Sequence, residues 1–229
     1  RDIIVVRENT EGLYSGLEHE VIPGLAESFK VVSAPASRRI ARFAFKLAKK
    51  EGRRKITVLH KANILKLTDG LFLRCVREEA ALHKNIEYEE MLVDNASMRL
   101  VLDPKGFDVI LADNFIGDII SEECAGLVGS AGLVPGYNIG SDVVVFEALH
   151  GSAPDIAGKG WANPTALLLS SSLMLKHLGE AMGALRIEQA VFQAIGRGES
   201  LTRDLGGHAT TMEFAEAVVS EVKRLKKAA

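Results

Sequence analysis

The sequence predicts an α/β fold built on a largely parallel sheet. Two observations carry this expectation. Short apolar runs alternate with longer segments of helical period, which is the pattern of successive βαβ units. The apolar content of 47% over 229 residues supplies ample core for one large domain or two small ones. Candidate strands lie at 3–6, 30–32, 56–59, 88–93, 109–112 and 143–146, most of them rich in Val, Ile or Leu. Candidate helices lie at 37–49, 69–82, 118–127, 164–178, 183–195 and 212–226. In the first of these, Ile40, Phe43, Ala44 and Leu47 recur at the 3.6-residue period, so one face is expected to be buried. Phe214, Val218, Val222 and Leu225 repeat the pattern in the last.

Glycines cluster over 126–140 with Pro135 among them, which reads as a crossover between two substructures. The spacing of Gly126, Gly129 and Gly132 does not fit G-x-G-x-x-G, and no acidic residue follows at the distance a dinucleotide fingerprint needs, so the fold is not expected to be Rossmann. A net charge of −2 gives no electrostatic case for nucleic acid. The basic run from Lys49 to Lys55 is short and interrupted, as at a solvated helix end. Cys75 and Cys124 both fall in apolar helical patterns and read as reduced, buried thiols. The strand-like opening is unlike a signal peptide, and the apolar segment around Leu167–Leu175 is too short to cross a bilayer, so no membrane association is expected.

The stretch His150-Gly-Ser-Ala-Pro-Asp-Ile-Ala-Gly-Lys-Gly-Trp-Ala-Asn-Pro164 follows an apolar strand and precedes a helix. Asn163 suits a cap and Pro164 the first helical turn. Such a loop leaves backbone N–H groups free for phosphates and Asp155 free for ribose hydroxyls. An ordinary surface loop has the same composition. Elsewhere single residues stand at strand or helix ends. Arg7 follows the first strand between acidic neighbours, Lys61 follows the strand at 56–59, Asp94 ends the strand at 88–93, and Asp118 opens a helix. Alone, each has a bland reading: an ion pair for Arg7, a surface charge for Lys61, a dipole-favoured acid for Asp118, a half-buried aromatic for Tyr14.

Taken together, these segments resemble the β-decarboxylating dehydrogenases, which oxidise 2-hydroxy acids such as isocitrate, homoisocitrate and 3-isopropylmalate. The resemblance rests on Arg7-Glu-Asn-Thr-Glu-Gly-Leu-Tyr14, His60-Lys-Ala-Asn63, Val93-Asp94, Gly117-Asp118, the His150 loop and Asp204-Leu-Gly-Gly207, in family order along nearly the whole chain. It implies the isocitrate/isopropylmalate dehydrogenase-like fold, with two domains sharing a mixed sheet. Residues 1–127 would form the smaller substrate and dimerisation domain. Residues 128–229 would form the C-terminal part of the larger cofactor-binding domain, whose N-terminal part is not matched in this chain.

The chemistry of that family needs a base, a hydride acceptor, a polarising cation and a proton donor. By resemblance Lys61 is the base, acting from the partner subunit, and Tyr14 is the acid. Arg7 would bind a substrate carboxylate, as a planar guanidinium suits, with Asn63 beside it. Mg2+ or Mn2+ would take oxygen ligands from Asp94, donated across a dimer interface, and from Asp118 and Glu122. The family usually has Asp at position 122, and a polar residue where this chain has Ile116, a change that is either silent or loosens the loop holding Asp118. His150, Gly151, Ser152, Ala153, Asn163 and Asp204 match positions around the adenosine and pyrophosphate. Asp155-Ile156 stands where NADP-dependent relatives carry Lys–Tyr, and the Asp155 charge would repel a 2′-phosphate, so NAD is the expected cofactor. The expected function is oxidative decarboxylation of isocitrate by a homodimer or higher homo-oligomer, in the cytoplasm, or in the mitochondrial matrix if the source is eukaryotic. Homoisocitrate dehydrogenase, a non-catalytic regulatory subunit and a truncated, interface-only chain are the alternatives.

Overall fold

The computed structural model describes residues 2–228. They form two compact units that divide at Cys124/Ala125, within a helix, three residues before the expected boundary.

The first unit is built on a four-stranded sheet whose strands are β1 (Ile4–Arg7), β4 (Lys55–His60), β5 (Glu87–Leu92) and β6 (Val109–Ala112), in the order β1-β6-β4-β5. All three pairings are parallel, with Val5 opposite Ile110, Thr57 opposite Ile110, and Val58 opposite Glu90. Central strand β6 is buried at every position, as a strand covered on both faces must be. Helices α1 (Ala34–Lys50) and α2 (Thr68–Ala80) pack against each other, and Ala41, Ala44, Phe45, Phe72 and Val76 join Val58, Val109 and Leu111 in one core. The Ser33 hydroxyl accepts the Ala36 N–H at 3.3 Å to cap α1, and Pro35 stands in its first turn.

Several expected elements differ. Residues 30–32 are not a strand; Val31 makes only an isolated bridge to Gly12, because Lys30 turns inward to pair with carboxylates. Strand β5 stops at Leu92, and α3 (Val93–Leu102) begins there, so Asp94 lies in the first turn of a helix rather than at a strand end. A helix dipole favours an acid at that place. Helix α4 (Asn114–Val128) starts four residues before Asp118, because the Asp113 carboxylate accepts the Ile116 N–H at 2.9 Å and so caps the helix earlier. An antiparallel hairpin, β2 (Glu18–Ile22) and β3 (Leu25–Ser28), was not expected, since its polar composition gives no alternation.

In the second unit β7 (Pro135–Ile139) pairs antiparallel with β8 (Val144–Ala148). β7 falls in the Gly- and Pro-rich stretch read as a crossover. Pro is tolerated there because Pro135 is the first residue of a strand in a two-stranded pair. Helices α5 (Thr165–His177), α6 (Ala181–Arg197) and α7 (Thr211–Ala228) form the helical layer, with Ala190, Val191, Phe214 and Val218 at its core. Asn163 Oδ1 accepts the Thr165 N–H at 2.9 Å, the expected capping contact at the start of α5. The parallel and antiparallel strands belong to separate sheets among the described residues, and the fold class is the expected α/β.

The first unit is tied together by Lys30. Its ammonium sits between the carboxylates of Asp69, at the start of α2, and Asp113, after β6, and all three side chains are close to fully buried. Burial pushes the Lys30 ammonium down, but Asp113 and Asp69 outweigh it and hold the group above the ordinary lysine range. A raised folded value means the contribution is fully present below the unfolded lysine value and is lost only as pH rises through the folded one, so it acts across neutral pH. Replacing Lys30 with Ala leaves two buried carboxylates facing each other. The expected cost is about 3–5 kcal/mol in denaturant unfolding at pH 7. A loss within experimental error of zero would show that the triad is not holding the unit.

Candidate active site and nucleotide cleft

The parallel sheet delivers its functional groups at the C-terminal ends of its strands, where α/β folds present ligand-binding side chains. Arg7 is the last residue of β1, Lys61 follows β4, Asp94 follows β5, and Asp113–Asn114 follow β6.

Two groups form there. In the first, Asp118 of α4 receives Arg7 Nη1 on Oδ1 at 2.5 Å and the Tyr14 hydroxyl on Oδ2 at 2.5 Å. Arg7 Nε and Nη2 donate to Asn114 Oδ1 at 3.2 and 2.7 Å, and the guanidinium lies 5.2 Å from the Tyr14 ring centre. Arg7 therefore pairs with Asp118 and Asn114, not with its acidic sequence neighbours. The Glu8 carboxylate instead accepts the Thr10 and Glu11 N–H groups at 2.9–3.0 Å and shapes the turn that leads to Tyr14. Gly117 is required by this packing: a Cβ there would fall 2.7 Å from Arg7 Cγ and 2.9 Å from Arg7 Cβ. Ile116, beside it, is buried, and its N–H is bonded to Asp113. The bond to the Asp118 carboxylate raises the Tyr14 phenol above its ordinary value, with burial adding to the rise.

In the second group, Lys61 Nζ donates to Asp94 Oδ1 at 2.8 Å. The Lys61 N–H bonds Asp69 Oδ2 at 2.7 Å and the Ala62 N–H bonds His60 Nδ1 at 3.1 Å, so the turn carrying Lys61 is held by two side chains. Asp94 is held below the ordinary carboxylate range, first by its bond to Lys61 and then by backbone N–H groups at the start of α3. Asn63 is exposed two residues beyond Lys61, and Glu122 is exposed on α4 one turn after Asp118. Among the described residues no three His, Cys, Asp or Glu side chains converge as a metal site. One chain thus brings Asp118 and Glu122 onto one helix and leaves Asp94 with Lys61.

The second unit holds a cleft of about 660 Å³, a volume suited to a nucleotide-sized ligand. His150, Gly151, Ser152, Ala153, Ile156, Asn163 and Asp204 all line it, while Asp155 is exposed beside it. Asn163 Nδ2 and the Thr202 hydroxyl donate to the two oxygens of Asp204 at 3.0 and 2.6 Å. Burial opposes the Asp204 charge, but these bonds and one from Ser130 hold the carboxyl below its ordinary range. Ala153 has a φ of 44°, the one left-handed non-glycine among the described residues. Strain of that kind is kept where surrounding structure enforces it, commonly at ligand sites. His150 Nδ1 lies 2.9 Å from the Gly151 carbonyl, to which the Nδ1–H tautomer donates. The largely apolar lining with one fixed carboxylate fits the adenosine part of a dinucleotide.

Sequence reasoning missed Asn114, Ser130, Gly132, Trp161 and Arg203, which complete the two sites. The glycine cluster held the signal for Gly132: a Cβ there would sit 3.1 Å from Asn163 Cβ.

Comparison with known proteins gives the family. Residues 1–218 match the family described as isocitrate/isopropylmalate dehydrogenase. The chain is 54% identical over 218 residues to the isocitrate dehydrogenase [NAD] catalytic subunit 5, mitochondrial, of Arabidopsis thaliana, covering 95% of this chain and 58% of that protein. It is 49% identical over 225 residues to the probable isocitrate dehydrogenase [NAD] subunit alpha, mitochondrial, of Caenorhabditis elegans, covering 98% of this chain and 63% of the relative. The crystal structure of isocitrate dehydrogenase from Methylococcus capsulatus superposes with a TM-score of 0.92 at 49% identity, over 95% of this chain and 66% of that one. The chain therefore spans about three fifths of the length of the curated relatives it matches. With the motif order, the strand-end groups and these matches in agreement, the chain belongs to the isocitrate/isopropylmalate dehydrogenase family.

Proposed function

We propose that this chain carries the chemistry of an NAD-dependent isocitrate dehydrogenase, converting isocitrate to 2-oxoglutarate and carbon dioxide. The observation that carries the reading is the convergence of Arg7 and Tyr14 on Asp118, which joins a carboxylate receptor, a proton donor and an oxygen ligand at one point. The first unit would serve substrate binding and dimerisation, and the second would supply part of the cofactor-binding domain.

Asp118 and Glu122 are hard oxygen donors one helical turn apart, which fits Mg2+ or Mn2+ provided a third carboxylate arrives from elsewhere. Asp94 of a second copy meets that need. When bound, the cation would polarise the substrate hydroxyl and its neighbouring carboxylate, and NAD would accept the hydride. The chain's own groups do the rest. The Arg7 guanidinium takes a substrate carboxylate in two parallel bonds. Lys61 removes the hydroxyl proton as the C–H pair leaves as hydride, giving the ketone. The β-carboxylate departs as CO2, its bonding pair stays on the substrate as an enolate, and the Tyr14 O–H gives a proton to the carbon. The raised phenol keeps that proton at neutral pH until the enolate forms.

A shared site in a homodimer is supported by the separation of Lys61 and Asp94 from the Arg7 group, and by the β2–β3 hairpin. Every residue of that hairpin is exposed, including Val21, Ile22 and Leu25. An isolated two-stranded hairpin is marginally stable in water, so a second copy covering it is the natural complement. No described helix is long and apolar enough to cross a membrane. The two curated relatives named above are designated mitochondrial, and we assign this chain to the matrix if its source is eukaryotic and to the cytoplasm otherwise.

Three outcomes test the reading on the intact protein. NAD should be the preferred cofactor, and Asp155→Lys with Ile156→Tyr should move the ratio of kcat/KM values toward NADP by about tenfold or more, since the variant exchanges repulsion for a phosphate partner. Faster reduction of NADP than of NAD by the unaltered protein would sink this assignment.

Asp118→Asn should raise the metal concentration for half-maximal activity by roughly 10- to 100-fold, with Glu122→Gln having a smaller effect. Full activity in excess chelator would rule out the metal role.

Mixing inactive Lys61→Ala and Tyr14→Phe chains should restore part of the activity, because one of the two sites in a mixed dimer regains both groups. Tagged chains would first establish that subunits exchange. A mixture that exchanges and stays inactive would show that the sites are not shared in this way.

A further inference from the structure

The turn that carries Lys61 leaves the sheet abruptly, and a side chain of β4 itself helps to hold it. His60 is the last residue of β4 and pairs in register with Leu92 of β5. Past that pair the backbone N–H groups of Lys61 and Ala62 lie beyond the ladder and need other acceptors. Side chains supply them. Asp69 Oδ2 accepts the Lys61 N–H at 2.7 Å, and His60 Nδ1 accepts the Ala62 N–H at 3.1 Å. The Lys61 carbonyl in turn accepts the Ile64 and Leu65 N–H groups at 2.9 and 2.8 Å. Ala62 is half-buried and packs against the core of the first unit, so its N–H is costly to leave unbonded.

The two side chains act differently. Asp69 belongs to the buried triad with Lys30 and ties the turn to α2. His60 ties the residue before Lys61 to the residue after it, which closes a small ring around the Lys61 backbone and sets the direction in which its side chain leaves. Asn and Asp side chains hold turns by the same contact, a bond to the N–H two residues on. An imidazole nitrogen accepts only through a lone pair, so Nδ1 is bare and Nε2 carries the proton. Burial holds His60 below the ordinary imidazole range and Arg77 lowers it further, against Glu90 of β5 and Asp69 of α2, which raise it, so the ring is neutral at pH 7. A base must bring its nitrogen within hydrogen-bond distance of the proton it takes, and lysine has a flexible four-carbon stem. Its far end is directed by Asp94, at 2.8 Å, so its near end must be directed by the backbone. We propose that His60 is a positioning residue for Lys61, its Nδ1 holding the Ala62 N–H so that the base leaves the turn in one direction. This rests on the reading of Lys61 as the base, and it gives a role to the first residue of His60-Lys-Ala-Asn63, to which that reading assigns none.

The test is steady-state kinetics on the intact protein with isocitrate, NAD and saturating Mg2+, comparing His60→Leu, His60→Asn and Lys61→Ala with the unaltered chain. His60→Leu keeps an apolar side chain of similar reach and removes the acceptor. It should lower kcat by roughly 10- to 100-fold, the scale of a misplaced catalytic group, and leave the KM for isocitrate within about threefold, because Lys61 acts on the hydroxyl proton rather than holding the substrate. His60→Asn restores an oxygen that can accept the Ala62 N–H, and it should recover most of the lost kcat. Circular dichroism of the variants should match that of the unaltered chain. If Lys61→Ala is inactive while His60→Leu keeps its kcat, the positioning role is wrong and the base reading stands. Equal losses of kcat in His60→Leu and His60→Asn would show that the bond to Ala62 is not what His60 supplies. A rise in KM with kcat unchanged would place His60 in substrate binding instead and overturn the proposal. If His60→Leu does not fold, His60→Asn decides alone, and a tenfold or greater loss of its kcat counts against the role. If Lys61→Ala keeps the kcat of the unaltered chain, the base reading fails and the positioning role fails with it.

Discussion

The first unit depends on one buried cation. Lys30 comes from the segment after the β2–β3 hairpin and places its ammonium between Asp69 and Asp113. Burying three charges is unfavourable unless each is paired and its remaining valences are used. Here they are used, and in a way that orders both site groups. The second oxygen of Asp69 takes the Lys61 N–H, and Asp113 takes the N–H of Ile116 in the first turn of α4. One ammonium therefore links the turn that carries Lys61 to the helix that carries Asp118. The sheet fixes where β4 and β6 end, and the ion triad fixes how the chain leaves them.

Asp118 is the second point of organisation. Its two oxygens are taken by groups from two different segments, Arg7 at the end of β1 and Tyr14 in a short turn beyond it. The approach is close enough that the helix must present glycine at position 117, since any side chain would collide with Arg7. The motif Gly117-Asp118 is thus a packing requirement followed by a chemical one. Asn114, one turn earlier on α4, holds the other side of the same guanidinium and keeps its plane fixed.

The cleft of the second unit uses a different device. Its walls come from a loop whose backbone is held in unfavourable geometry at Ala153 and from a short turn pinned by Asp204. A carboxylate held ionised by three donors is an acceptor of fixed direction, unlike the exposed Asp155. In the proposed nucleotide site, the fixed acceptor would position the ligand and the exposed one would discriminate among nucleotides.

The α/β class, the placement of most strands and helices, and the candidate residues were legible in the chain, because apolar periodicity and short motifs are local properties. Ala44 and the strand at 56–59 in the core, and His150 to Ala153 along the cleft, needed no more than their neighbours in the chain to be singled out. The remaining features are set by folding. Lys30 read as part of a strand, since nothing near it in sequence reveals two carboxylates 39 and 83 residues away. Asp94 and Asp118 read alike as metal ligands, yet within one chain one binds Lys61 and the other Arg7 and Tyr14. Trp161 read as one residue of the His150 stretch, and only the fold stacks Arg203 on it. The physical reason is common to all three. Pairing of charges and stacking of rings act over a few ångströms in space, and only the folded backbone sets which distant residues come that close.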